Sequence, residues 1–140
     1  MMKMLDKAIG IAVSAHAGQF DKGGKPYILH PLWVMNKVRH LGVKHMIVAI
    51  LHDVVEDTSW TIKMLREEGF SEDILTALAL LDFRNVDYYG RILEIYHNTL
   101  ARNVKLRDLE HNLKPNRLKG LSKKDHNRID KYHRAYTYLK

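Results

Sequence analysis

Apolar residues recur three and four positions apart along almost the whole chain, as at Leu5, Ile9, Ala12 and Val13 or at Ile92, Leu93, Ile95 and Tyr96. No stretch alternates with the period of two that marks a strand, so the pattern predicts an all-α protein, a compact bundle of about seven or eight helices. The first helix is expected from about Leu5 to His16, stopped at Gly18, with a turn-rich loop from Gln19 to Pro26 behind it. Pro31 suits the first position of a second helix, where its missing N–H is harmless. That puts His30 near the N-cap and the helix end at Gly42. A third helix covers about Lys44 to Asp53 or slightly further, and a fourth runs from Thr61 to Glu68. Ser71, Glu72 and Asp73 open a fifth, and Asp87 a sixth. The seventh runs from about Thr99 to Leu113 and stops at Pro115, and Ser122 caps a last helix to about Leu139.

Composition narrows what this bundle can be. With 140 residues, 46% of them hydrophobic, the chain suits a single domain over residues 1–140 with one full core. Its longest apolar runs fall well short of the roughly 20 residues of a membrane span, and its start lacks the order of a signal peptide, so a cytoplasmic, membrane-free protein is expected. Cysteine is absent, so any metal site must be built from His, Asp and Glu. The net charge of +7 is uneven. Residues 1–113 hold 14 Lys and Arg against 14 Asp and Glu, whereas 114–140 hold 9 against 2. Such a tail is a solvated face, or a surface for a small polyanion or a nucleic acid.

The stretch LHDVVEDT brings His52, Asp53, Glu56 and Asp57 together behind the core-like run MIVAI. If the helix persists, His52 and Glu56 lie four apart, Asp53 and Glu56 three, and Asp53 and Asp57 four, on neighbouring positions of one side. Carboxylates about 4 Å apart repel by roughly 1 kcal/mol in water and by more in a drier site, so a cation or a proton has to be supplied. Two further residues can complete a metal site: His30 at a helix start, and Asp108 among the apolar flanks Val104, Leu106, Leu109 and Leu113. Asp108 could instead pair with Lys105 or Arg107.

The words AHAGQFDKGGKPYILHP, LHDVVEDT and VKLRDLEHN, in this order, resemble the HD metal-dependent phosphohydrolase superfamily. Within it they look like the hydrolase domain of the Rel/Spo alarmone enzymes and the stand-alone small alarmone hydrolases related to metazoan Mesh. The likeness runs from about Leu5 to Leu139. It implies His30, His52, Asp53 and Asp108 as metal ligands, usually for manganese, and Glu56 and Asp57 as the catalytic pair that positions and activates water. It also implies Lys22, Asn112 and Lys114 as substrate-binding residues. The implied reaction removes the 3′-pyrophosphate of ppGpp, and no synthetase domain is expected within these 140 residues. Those roles suit the residues, because a metal lowers the pKa of water and an adjacent carboxylate takes its proton.

Two positions depart from the family pattern. Asp21 stands before Lys22 where arginine is common, and Pro115 follows Lys114 where a hydroxyl residue is common. Both touch substrate recognition, which keeps open a phosphatase for another nucleotide such as NADPH or a nucleoside phosphate. A third reading is a non-catalytic helical module that binds nucleic acid through residues 114–140, which gives Glu56 and Asp57 no task. Tyr132, Tyr136, Trp33 and Trp60 read first as packing residues.

Overall fold

The computed structural model describes residues 2–114 and 122–140. Among them the regular structure is helical, apart from one isolated antiparallel bridge between Phe20 and Pro26. The order is α1 (Met2–Ala15), α2 (Leu29–Lys37), a 3₁₀ turn (Arg39–Leu41), α3 (Val43–Leu51), α4 (Val54–Asp57), α5 (Ile62–Glu67), α6 (Glu72–Leu80), α7 (Tyr88–Tyr96), α8 (Thr99–Asn112) and α9 (Lys123–Leu139). No helix of the described residues is long and apolar enough to cross a membrane.

α3 forms the centre because its second half is apolar on every side. Ile47, Val48, Ala49, Ile50 and Leu51 are all fully buried, and α1, α2, α6 and α8 pack around them. The surrounding helices each turn one face inward: Leu5, Ala8 and Ala12 from α1, Ile74, Leu75, Ala77 and Leu78 from α6, Ile92 and Ile95 from α7. The sequence suggests helix starts at Thr61 and Asp87, and both residues cap their helices, as Asn98 does at the head of α8. Thr61 accepts from the Met64 N–H, Asp87 from Gly90, and Asn98 from Ala101. Ser122 forms a reciprocal capping box with Asp125 at the head of α9. Ser71 is the exception. It precedes α6, but its hydroxyl donates to Asp73 rather than capping the helix.

The second helix ends at Lys37, with the 3₁₀ turn Arg39–Leu41 filling the way to Gly42, and two further differences from the sequence reading bear on the site. α2 starts one residue before His30 with Ile28 as its N-cap, so His30 and Pro31 both lie in its first turn. Pro31 is tolerated there because the first four N–H groups of a helix have no intrahelical partner. The expected third helix is two pieces. The His52 N–H reaches the Ala49 carbonyl, three residues back, instead of the one four back, and the chain turns at His52 and Asp53 before α4 begins. His52 and Glu56 therefore do not share one side of an unbroken helix. The turn frees His52 and Asp53 to aim together across the bundle.

Candidate metal centre

His30 in the first turn of α2, His52 and Asp53 at the α3–α4 turn, and Asp108 in α8 converge on one point. Each offers a ligand atom, and the four atoms lie within 4.8 Å of one another. His30 Nε2 is 2.8 Å and His52 Nε2 is 3.2 Å from Asp108 Oδ1; Asp53 Oδ2 is 3.0 Å from His52 Nε2 and 3.7 Å from His30 Nε2. All but Asp53 are buried, and Asp53 is nearly so. The side chains were read from three separate words of the sequence, and the fold brings them together.

Their outer contacts fix their aim. The Nδ1–H of His52 donates to the Ala49 carbonyl at 2.6 Å, which leaves Nε2 facing the carboxylates. Nδ1 of His30 lies 2.8 Å from Nδ1 of His111, and the two rings are stacked at an interplanar angle of 6°. His111 in turn stacks on Trp33, with ring centroids 4.2 Å apart. Tyr27 O–H donates to Asp53 Oδ2 at 2.6 Å, and Asn112 Nδ2 donates to Asp108 Oδ1 at 3.0 Å. The other oxygen of Asp108 accepts from buried Lys105 at 2.9 Å, so of the two partners its neighbourhood offered, the fold selects Lys105; Arg107 turns to Glu110.

The charges show how strongly this cluster calls for positive charge. Burial works to raise Asp53, but the His52 imidazole beside it prevails and holds the carboxyl at about 2. Burial likewise opposes a charged Asp108, yet Lys105 and the two histidines hold it well below the usual carboxylate range. His52, against its own burial, is held well above the histidine range by Asp53 and Asp108. Two imidazole nitrogens and two carboxylates with their outer partners in place form a donor set that fits a divalent cation.

Beside this cluster opens a cleft of about 300 Å³. Asp53, Asp108, Glu56 and Asp57 line it on one side, Asp21, Lys22 and Phe20 come from the Gln19–Pro26 loop, and Arg128 and Tyr132 come from α9. Asp53, Glu56 and Asp57 also group closely enough that one oxygen of each lies within 4.8 Å of the others. Glu56 accepts the Phe83 N–H at 2.7 Å, and its carboxyl is raised chiefly by burial. Asp57, on the open side of the turn, is pushed up to about 7 by partial desolvation and then by the charges of Asp53 and Glu56.

Of the expected substrate residues, Lys22 and Asn112 line the cleft, and Lys22 lies 3.5 Å from Asp125. Lys114 rests over the Trp33 ring at 4.9 Å and is not among the lining residues. Asp21 lines the cleft, while its carboxylate also accepts the Lys25 N–H. Pro115, Arg117 and Lys119 lie outside the described residues. Sequence reasoning missed Tyr27, His111 and Arg128. Spacing carried a signal for two of them: Tyr27 is three residues before His30, and His111 is three after Asp108 on the same helix.

No family model matches the chain. A guanosine-3′,5′-bis(diphosphate) 3′-pyrophosphohydrolase of Haemophilus influenzae is 36% identical over 117 residues, covering 74% of this chain and 17% of that protein. One of the same description from Spiroplasma citri is 30% identical over 126 residues, with 81% and 17% covered. A probable GTP pyrophosphokinase of Mycobacterium leprae is 39% identical over 75 residues, 52% of this chain and 9% of that one. The chain thus spans less than a fifth of the length of these relatives. Among solved structures, a metazoan ortholog of SpoT that hydrolyzes ppGpp matches the fold with a TM-score of 0.76 at 20% identity, covering 96% of this chain and 84% of the other.

Proposed function

We propose, starting from a chain that is Rel/Spo-like in sequence and in fold, that this protein is a divalent-metal-dependent phosphohydrolase of ppGpp that releases pyrophosphate from the 3′ position and leaves GDP. The observation that carries the reading is the meeting of His30, His52, Asp53 and Asp108 beside a cleft that Asp53, Asp108, Glu56 and Asp57 line. A divalent ion held by those four side chains, manganese by the family likeness, supplies Lewis-acid chemistry: it neutralises phosphoryl charge and acidifies water. The remaining steps belong to the chain. Asp57, whose carboxyl sits near neutrality, accepts the proton of the attacking water, and Glu56, fixed by the Phe83 N–H, orients that water. Attack on the 3′-linked phosphorus breaks its bond to O3′, and the proton passes to that leaving oxygen. Lys22 from the Gln19–Pro26 loop, Arg128 from α9 and Asn112 from α8 hold phosphate oxygens, and Lys114 adds positive charge just beyond the end of α8. On this reading the enzyme works in the cytoplasm.

Asp21 in the cleft wall favours a second reading, in which the same centre acts on another nucleotide such as NADPH or a nucleoside phosphate. A panel of ppGpp, GTP, GDP, NADPH and mononucleotides, each incubated with purified protein and manganese, separates the two. Pyrophosphate release from ppGpp alone supports the alarmone reading. Turnover of a different member of the panel moves the substrate and leaves the centre in place, and inertness toward all of them defeats both.

A further inference from the structure

We propose that Phe20 is the platform on which the nucleobase of the substrate stacks, an inference that rests on the nucleotide hydrolase proposed above. Phe20 is 67% exposed, the most open large apolar side chain among the described residues, and its ring lies in the wall of the catalytic cleft. Single exposed apolar residues are ordinary on a protein surface. This one is set apart by its neighbours and by its support. Most side chains that line the cleft are charged or polar, and Ile129 on α9 is the other purely apolar one. The cleft therefore combines carboxylates suited to a metal, the cations Lys22, Lys105 and Arg128 suited to phosphate, and an apolar ring carried by the Gln19–Pro26 loop. That division matches the two ends of a nucleotide.

The ring does not hang on a slack loop. The Asp21 N–H donates to the Lys25 carbonyl at 2.8 Å, the Gly24 N–H to the Asp21 carbonyl at 3.0 Å, and the Tyr27 N–H to the Gln19 carbonyl at 2.9 Å. The Asp21 carboxylate closes the same turn by accepting the Lys25 N–H at 2.9 Å, and Gly24 provides the left-handed residue it needs, with φ of 84°. Gln19, next in sequence to Phe20, donates its side-chain amide to the Asp57 carbonyl at 3.1 Å, which ties the loop to the catalytic turn. Phe20 is thus held at a fixed place relative to Asp57, so a base resting on it would set the reach of the phosphates to the centre. Stacking on a phenyl ring accepts any base and rewards the larger face of a purine.

The test compares binding of GDP and of inorganic pyrophosphate, by calorimetry with manganese present, in the wild-type protein and in Phe20→Ala and Phe20→Tyr. Loss of a base stack weakens GDP by about tenfold to a hundredfold in Phe20→Ala. Pyrophosphate binding and the melting temperature stay at wild-type values, and Phe20→Tyr recovers GDP binding. Unchanged GDP affinity in Phe20→Ala, or an equal loss for GDP and pyrophosphate, overturns the proposal. A wild-type protein that binds pyrophosphate but no GDP overturns the nucleotide reading itself, and the base platform with it.

Discussion

Replacing Lys105 by methionine keeps the length and apolar character of the side chain and removes its charge. Lys105 is 8% exposed, its ammonium is 2.9 Å from Asp108 Oδ2, and it lies 4.4 Å from the centre of the Phe83 ring. At that separation and an effective dielectric of about 20, the ion pair is worth roughly 6 kcal/mol of Coulomb energy, part of which is offset by the desolvation of both groups. Breaking such a pair from one side leaves a buried carboxylate without its cation, and the net cost is about 3–5 kcal/mol. For a chain of this size each kcal/mol lowers the melting temperature by about 3–4 °C, so Lys105→Met should melt about 10–20 °C lower without metal. A divalent ion on the other oxygen of Asp108 takes over part of the lost compensation. Saturating manganese should then recover about half of the deficit, and by linkage the variant should bind manganese roughly 30-fold more tightly than wild type if about 2 kcal/mol is recovered. Melting curves with chelator and with manganese, together with a calorimetric titration, read both quantities. A metal-free drop of less than about 3 °C, or equal drops in both conditions, would refute the reasoning, because Asp108 would then not depend on Lys105 or would not face the ion.

His111→Ala should weaken manganese binding by about tenfold to a hundredfold, since it removes the ring that fixes His30, while the helix that carries Asp108 stays intact. Tryptophan emission follows it: manganese should quench Trp33 through the stacked column in the wild type, and at correspondingly higher concentration in the variant. The rate on ppGpp should rise with pH up to about 7 or somewhat below once the ion lowers Asp57, because a base must be ionised, and Asp57→Asn should remove both the activity and that limb of the profile. In the metal-free protein the sign of the stability effect is opposite. Folded Asp57 keeps its proton between 3.8 and about 7 while the unfolded chain releases it, so stability falls as pH climbs through that window, and melting curves of Asp57→Asn should fall less. Leu51→Ala, in the fully buried end of α3, should cost about 3–5 kcal/mol in chemical denaturation and leave the stoichiometry of metal binding unchanged.

What the sequence made legible is what local chemistry encodes. The stop of α1 near Gly18, the caps at Thr61, Asp87 and Ser122, and the buried character of α3 all follow from residues within one turn of each other. The four side chains that could hold a metal ion were open to suspicion because each stands in a distinctive word. Their convergence was not, since His30 and Asp108 are 78 residues apart and no periodicity carries that contact. The break at His52 was hidden because LHDVVEDT holds no glycine or proline to mark it, although His, Asp, Val and Thr are only weak helix formers, and the turn lets His52 and Asp53 reach Asp108 of α8 and His30 of α2. The outer partners fell between these cases. Lys105, Asp108, His111 and Asn112 follow the three- and four-residue rhythm of one helix face, so their association with Asp108 was readable in α8 once Asp108 was suspected. The stack of Trp33 on His111 joins α2 to α8, and only the fold reveals it.

The most direct test of the account is the rate of pyrophosphate release from ppGpp as a function of manganese concentration, in the wild-type protein and in Asp53→Ala, with circular dichroism to verify that both are folded. The account predicts no turnover with chelator, saturable activation by one ion in the wild type, and none in a folded Asp53→Ala protein. Turnover that survives chelation, or that persists in folded Asp53→Ala, would contradict a metal centre built on His30, His52, Asp53 and Asp108.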